Sequence, residues 1–118
     1  MPSSHYNFGL VAERLVAFYL ICCGYRIIKR RYRNHFGEID IIAKRGSMIA
    51  VVEVKARWVK TKKSDIENIL KFRQLEKIKR SAAFFVVRNK NFRNCRIRYD
   101  FAYVGKYFLF NYYRGYFE

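Results

Sequence analysis

Four side chains in one short segment have the types and spacing to act together on a phosphate: Glu38, Asp40, Glu53 and Lys55. Across 118 residues there are 25 Lys and Arg but only 9 Asp and Glu, and three of those acids fall inside Gly37–Lys55. Carboxylates gathered on a basic protein call for a divalent cation. Mg²⁺ is a hard ion that prefers oxygen ligands and keeps several waters. A lysine beside such a pair steadies charge on an attacked phosphate or helps deprotonate a water. The array therefore suits metal-assisted phosphodiester hydrolysis, with Mg²⁺ or Mn²⁺ as cofactor. The plainer alternative is a solvated hairpin face. Glu-x-Lys alone is common by chance, but the aligned Asp and the scarcity of acids favour a site.

The element that must position these groups is a β-hairpin. Ile39–Ala43 and Met48–Val54 are rich in Ile and Val, and Gly46-Ser47 between them suits a two-residue turn with φ > 0 at its first position. Counting outward pairs Arg45 with Met48, Ile42 with Val51 and Ile41 with Val52. Asp40 then lies opposite Glu53, and Glu38 opposite Lys55. Alternation along a strand puts these four on one face and Ile39, Ile41, Val52 and Val54 on the other, the expected core face. Two directly opposed carboxylates repel, which a cation between them would relieve.

A glutamate on a first helix, then Gly-Glu-Ile-Asp at 37–40, then Val-Glu-Val-Lys-Ala-Arg at 52–57, resembles the PD-(D/E)xK nuclease superfamily. Within it the chain is similar to the small bacterial YraN (UPF0102) proteins, relatives of archaeal Holliday junction resolvases, from about Gly9 to Asp100. The resemblance implies an α/β, restriction-endonuclease-like three-layer fold with a central mixed β-sheet flanked by helices. It implies that Asp40 and Glu53 are metal ligands and Lys55 the catalytic lysine. It also places a glutamate at Glu13 that reaches the Asp40/Glu53 site; the other reading of Glu13 is a surface acid paired with a nearby Arg. Gln74 stands where most of the family has lysine. A glutamine there can orient a water or phosphate but supplies no charge. The resolvase-like relatives act as dimers, so a homodimer is open here.

Composition sets the frame. The length fits a single nuclease-like domain over 1–118, with 1–5 a loose leader and 106–118 an aromatic tail. At 52% hydrophobic and 19% aromatic, a packed core is expected. A net charge of +16 is an electrostatic footprint for a polyanion, with DNA the expected partner. Cys22, Cys23 and Cys95 form no even disulfide framework and read as reduced thiols of a cytoplasmic protein. Without C-x-x-C, and with only His5 and His35, a structural zinc site is not expected. The apolar run Leu15–Cys23 is far short of the ~20 residues that cross a bilayer, so it reads as a buried helix and no membrane partner is expected.

Taken in order, a helix is expected from Tyr6 or Asn7 to Cys23, stopped by Gly24. Tyr25–Tyr32 reads as a strand whose cations (Arg26, Lys29, Arg30, Arg31, and Arg33 just beyond) mark it as an edge. Asn34–Gly37 turns into the hairpin, with His35 near the acids as a side candidate for phosphate contact. Ala56–Lys63 is a basic loop. Arg57, Lys60, Lys62 and Lys63 there, with Arg31, Arg33 and Lys71 elsewhere, are the nucleic-acid-binding candidates. Trp58 either stacks on a base or covers the hairpin. Ser64–Glu67 is a capping box opening a helix to about Phe85, whose Gln74 or Lys71 approaches the site. Phe84–Arg88 fits helix or strand equally.

Arg96–Val104 alternates as a strand, with Asp100 a structural acid paired to an Arg. Tyr107–Phe117 is a last strand over the core, or its four tyrosines form a dimer face. The leading expectation is a metal-dependent DNA endonuclease, with Asp40, Glu53, Lys55 and Glu13 central and Glu38 and Gln74 in support. The alternative is a basic DNA- or RNA-binding domain with a vestigial acidic cluster. A membrane-surface protein is weaker, for want of an amphipathic helix with an aromatic apolar face.

Overall fold

Apolar side chains on both faces of a hairpin require a layer above and a layer below, and among the described residues two α-helices supply them. The computed structural model describes residues 4–57 and 72–117. The order is α1 (Ser4–Cys22), β1 (Arg26–Asn34), β2 (Gly37–Arg45), β3 (Met48–Ala56), α2 (Phe72–Arg88), β4 (Arg96–Val104) and β5 (Phe110–Phe117). The strands form one sheet in the order β1-β2-β3-β4-β5. All neighbours are antiparallel except β3 and β4, which run parallel across the α2 crossover. This is the expected three-layer α/β architecture, a mixed sheet flanked by helices.

Each helix closes one core. Ala12, Val16, Ala17 and Leu20 of α1 pack on Ile41, Ala43, Ala50, Val52, Ala102 and Val104. Ile78, Ala82 and Phe85 of α2 pack on Ile39, Ile42, Ile49, Val51, Phe101 and Tyr103. α1 starts at Ser4, so the expected leader contributes its last two residues to the helix. It ends as expected: Gly24 takes φ +90 and the Tyr25 N–H closes back on the Leu20 carbonyl at 2.9 Å. The helix is covered on one side only. Phe18 (65% exposed) and Ile21 (54%) face outward, against the expectation of a buried helix. Phe84–Arg88 completes α2. Among the described residues no helix is long and apolar enough to cross a membrane.

The hairpin register is the expected one from Arg45–Met48 through Ile41–Val52, with Gly46 at φ +59 in the turn. The alternation then breaks. Ile41 joins the α1 core, whereas Ile39 joins the α2 core, so the two do not share a face. The cause lies across the strand. β1 pairs Arg30 with Ile41 and Tyr32 with Ile39, and Arg31 between them sits at φ +54. A residue in the left-handed region reverses the local alternation.

The far side of the sheet is held by Asp100, fully buried. Arg98 donates to it through Nε and Nη2, each at 2.8 Å, and the Gly115 N–H donates at 2.8 Å. The Tyr112 hydroxyl donates to the same carboxylate. Arg98 also reaches the Tyr25 hydroxyl at 2.7 Å, tying the α1–β1 junction to β4 and β5. Burial and the neighbouring carboxylate raise the Tyr112 pKa. Tyr113 and Tyr116 pack on Phe101 at 6.1 and 5.2 Å between ring centroids. Of the four tail tyrosines proposed as a dimer face, only Tyr107 is largely exposed, at 71%.

Candidate active site

The acidic segment lies beneath the start of α2. Gly37, Glu38, Asp40, Glu53, Val54, Lys55, Gln74, Lys77 and Ile78 line a pocket of about 310 Å³. β2 supplies the first three, β3 the next three and α2 the rest. Five of the sequence candidates (Asp40, Glu53, Lys55, Glu38 and Gln74) are therefore gathered in one cavity.

Its centre is a pair of carboxylates. The β2–β3 pairing runs to Ile41–Val52 and goes no further toward Asp40 and Glu53. Beyond it, the Val54 N–H donates to Asp40 Oδ2 at 2.7 Å, a side chain standing in for a strand partner. Asp40 and Glu53 share a side-chain hydrogen bond. Lys55 Nζ lies 3.4 Å from Glu53 Oε1. Burial, then the Asp40 charge, pushes Glu53 up to about 8. Burial also raises Asp40, against the Val54 N–H, which favours its ionised form. Two carboxylates so close cannot both ionise without a cation, and they hold one proton between them at neutral pH.

Glu38 lines the pocket but its ion pair is not with Lys55. Its Oε2 pairs with Arg33 Nε at 3.3 Å on the exposed edge. Glu13 lines no part of the pocket. It is buried on α1, 3.6 Å from Arg30 Nε and 3.4 Å from Arg31 Nε. Two consecutive strand residues can reach one acid because of the left-handed backbone at Arg31. Of the alternative reading of Glu13, a surface acid paired with an arginine, the pairing is seen but the acid is buried, not on the surface. Its Oε1 accepts no hydrogen bond. His35 is exposed on the turn and stacks on Phe36 at 4.1 Å. Arg31, Arg33 and Arg57 are exposed. Trp58, Lys60, Lys62, Lys63, the Ser64–Glu67 capping box and Lys71 lie outside the described residues.

Two features escaped the sequence reading. Lys77 reaches the pocket one turn after Gln74, a spacing that puts both on the same helix side. Gly37 explains how α2 comes so close: a Cβ there would stand 3.3 Å from Ser81 Oγ and 3.4 Å from Lys77 Cβ. Below it, Ser81 Oγ donates to Asn34 Oδ1 at 3.2 Å and Asn34 Nδ2 donates to the Ser81 carbonyl at 3.4 Å. The turn before β2 is thus fastened to the helix that roofs the site.

The site fits a hard cation. It offers a buried carboxylate, Glu53, hydrogen-bonded to a half-buried one, Asp40, with Asp40 Oδ2 also taking the Val54 N–H and Glu53 Oε1 beside Lys55. Among the described residues no three His, Cys, Asp or Glu converge as an all-protein cage. That suits Mg²⁺, which is held by one or two carboxylates plus waters and substrate phosphates.

A three-layer α/β domain with an acidic pair and a lysine at the mouth of a splayed hairpin is a restriction-endonuclease-like fold. The chain belongs to the uncharacterised protein family UPF0102, whose sequence profile matches residues 12–104. A UPF0102 protein of Rhodopseudomonas palustris (strain BisA53) is 38% identical over 92 residues, covering 78% of this chain and 68% of that protein. One from Nitrobacter winogradskyi is 54% identical over 57 residues, 48% of each chain. One from Brucella canis is 59% identical over 49 residues, 42% of this chain and 39% of that protein. In the latter two matches the alignment spans about half the relative's length or less.

Proposed function

We propose that the domain is a metal-dependent endonuclease that hydrolyses phosphodiester bonds in DNA. The observation that carries this reading is the Asp40–Glu53 carboxylate pair lining one pocket, with Lys55 Nζ 3.4 Å from Glu53, in a chain of net charge +16. As a merely structural feature, the pair would be two acids so close that one is forced to keep its proton. As a cation site it has a reason.

Asp40 and Glu53 would hold Mg²⁺ or Mn²⁺, and the bound ion would polarise the scissile phosphate and acidify the attacking water. Val54, through its N–H, fixes the Asp40 carboxylate. Lys55 faces the phosphate and offsets charge gathering on its oxygens. Gln74 and Lys77, from the roof, orient the phosphate, and Lys77 supplies the charge that Gln74 lacks. Arg31, Arg33 and Arg57 extend the cationic path on either side. Glu13 serves here to set Arg30 and Arg31.

The test is incubation with supercoiled plasmid and with a labelled four-way junction, in Mg²⁺, Mn²⁺ and EDTA, with Asp40→Ala and Glu53→Ala alongside. Metal-dependent cutting that both substitutions abolish supports the proposal. Tight binding without cutting in either metal overturns it in favour of a binding domain.

A further inference from the structure

A row of side chains leads away from the pocket along α2: Gln74, Lys77, Ser81, Phe84 and Arg88, spaced by three and four residues and hence on one side of the helix. Lys77 is at the pocket and Ser81 is the turn's anchor. At Phe84 the row meets an aromatic cluster contributed by that turn. His35 lies 4.1 Å from Phe36 and 5.3 Å from Phe84, edge to face, and Phe36 lies 5.8 Å from Phe84. Arg88 holds its guanidinium 5.2 Å from the Phe84 ring centre.

These rings are not core. His35 is exposed, and Phe36 and Phe84 are half-buried, whereas Phe85 beside them is 2% exposed. The turn is nevertheless held firmly, by the Asn34–Ser81 pair and by the Phe36 N–H donating to Asn34 Oδ1 at 2.9 Å. The result is a fixed aromatic platform, with a lysine on one side and an arginine on the other, on a protein of net charge +16. From Lys77 to Phe84 the helix rises by about 10 Å, one to two nucleotide steps along a strand.

We infer that this platform stacks an unpaired base next to the phosphate held in the pocket. The occupant is nucleic acid: flanking cations match phosphates, and an exposed ring accepts any base by its π-face. A base in an intact duplex is stacked on its neighbours and is not free to reach the platform. The substrate class is therefore DNA with unpaired nucleotides beside the cut, such as a gap or a branch. The inference rests on the endonuclease reading for the identity of the pocket phosphate.

The test uses two duplexes of equal length, one intact and one with a three-nucleotide gap carrying 2-aminopurine. Binding is followed by anisotropy and by 2-aminopurine emission, in EDTA so that nothing is cut. The wild type is expected to bind the gapped DNA about tenfold more tightly and to quench the probe. His35→Ala and Phe84→Ala are expected to lose both effects with intact-duplex affinity unchanged, and His35→Trp to retain them. His35 is an exposed turn residue, so its variants test the platform even if Phe84→Ala unfolds. Equal affinity for the two DNAs, or undiminished preference in His35→Ala, overturns the inference. Cutting in Mg²⁺ or Mn²⁺ is scored separately. Gap preference without cutting sinks only the endonuclease reading, and cutting without gap preference sinks only this one.

Discussion

The Val54 N–H donates to the Asp40 carboxylate at 2.7 Å, at the point where β2 and β3 part. One oxygen of Asp40 does the work of a strand carbonyl, and the same carboxylate hydrogen-bonds Glu53. The group that opens the hairpin is thus the group that makes the site. A hairpin paired to its end would carry the acids on a flat face; the parted one encloses them under α2.

Asp40→Asn and Asp40→Ala should therefore separate structure from chemistry. Asparagine keeps an oxygen for Val54, whereas alanine leaves that N–H unpaired in a partly buried place. The alanine variant is expected to be less stable by about 1–3 kcal/mol, measured by urea denaturation in EDTA, and both should be inactive on DNA. Equal stability of the two would show that the bond does not hold the strands.

Stability without metal should depend on pH in an unusual direction. Glu53 is raised from 4.5 to about 8, so between those values the folded protein binds the extra proton. The Glu53 contribution is full below about pH 4.5 and is lost as pH rises through 8. Melting curves in EDTA are expected to fall from pH 6 to pH 9. Glu53→Gln should flatten that slope, and Mn²⁺ should offset it, since binding displaces the shared proton. A wild-type melting temperature constant over this range would remove the buried pair as described.

Much of this site could be read from residue order. Gly46-Ser47 marked the turn, and counting outward from it gave the register and brought Asp40 to Glu53. The break after Ile41 could not be counted, because it depends on the left-handed backbone at Arg31 in a different strand. From the sequence, Lys77 reads as one of several α2 cations on a phosphate-contacting face, not as a pocket residue. Only the contact between Gly37 and that helix, 40 residues apart in the numbering, turns it toward the pocket. Glu13 was legible as an acid with two fates, and the choice was made by the distances to Arg30 and Arg31.

Lys55 offers a separation of catalysis from binding. Its amine sits beside Glu53 inside the pocket and is mostly covered, at 23% side-chain exposure. Lys55→Ala is expected to lower the cutting rate by about 10²–10³-fold, as for loss of one group that stabilises transition-state charge. DNA affinity in EDTA should barely move. An equal loss in affinity and rate would make Lys55 a binding cation.

Arg57 follows Lys55 by two residues and is exposed where β3 ends, its backbone N–H donating to the Val104 carbonyl at 2.9 Å. It is placed to neutralise a phosphate beside the site. Arg57→Ala should weaken binding by a similar factor for all sequences and lower the slope of log affinity against log salt by about 1. An unchanged slope would place the DNA path elsewhere.

Asp100 should matter for the fold alone. Its carboxylate takes two bonds from Arg98 and one each from Tyr112 and Gly115, and it lines no part of the pocket. Removing it leaves Arg98 partly buried and uncompensated and removes the side-chain ties from β4 to Tyr112 and Gly115 of β5. Asp100→Ala is expected to cost about 3–5 kcal/mol in urea unfolding. Asp100→Asn should cost less, because its amide oxygen still accepts from Arg98. In whatever fraction of Asp100→Asn remains folded, the dependence of DNA binding on salt should match the wild type. A change in that salt dependence at full folding would show that Asp100 reaches beyond the scaffold into the nucleic-acid surface.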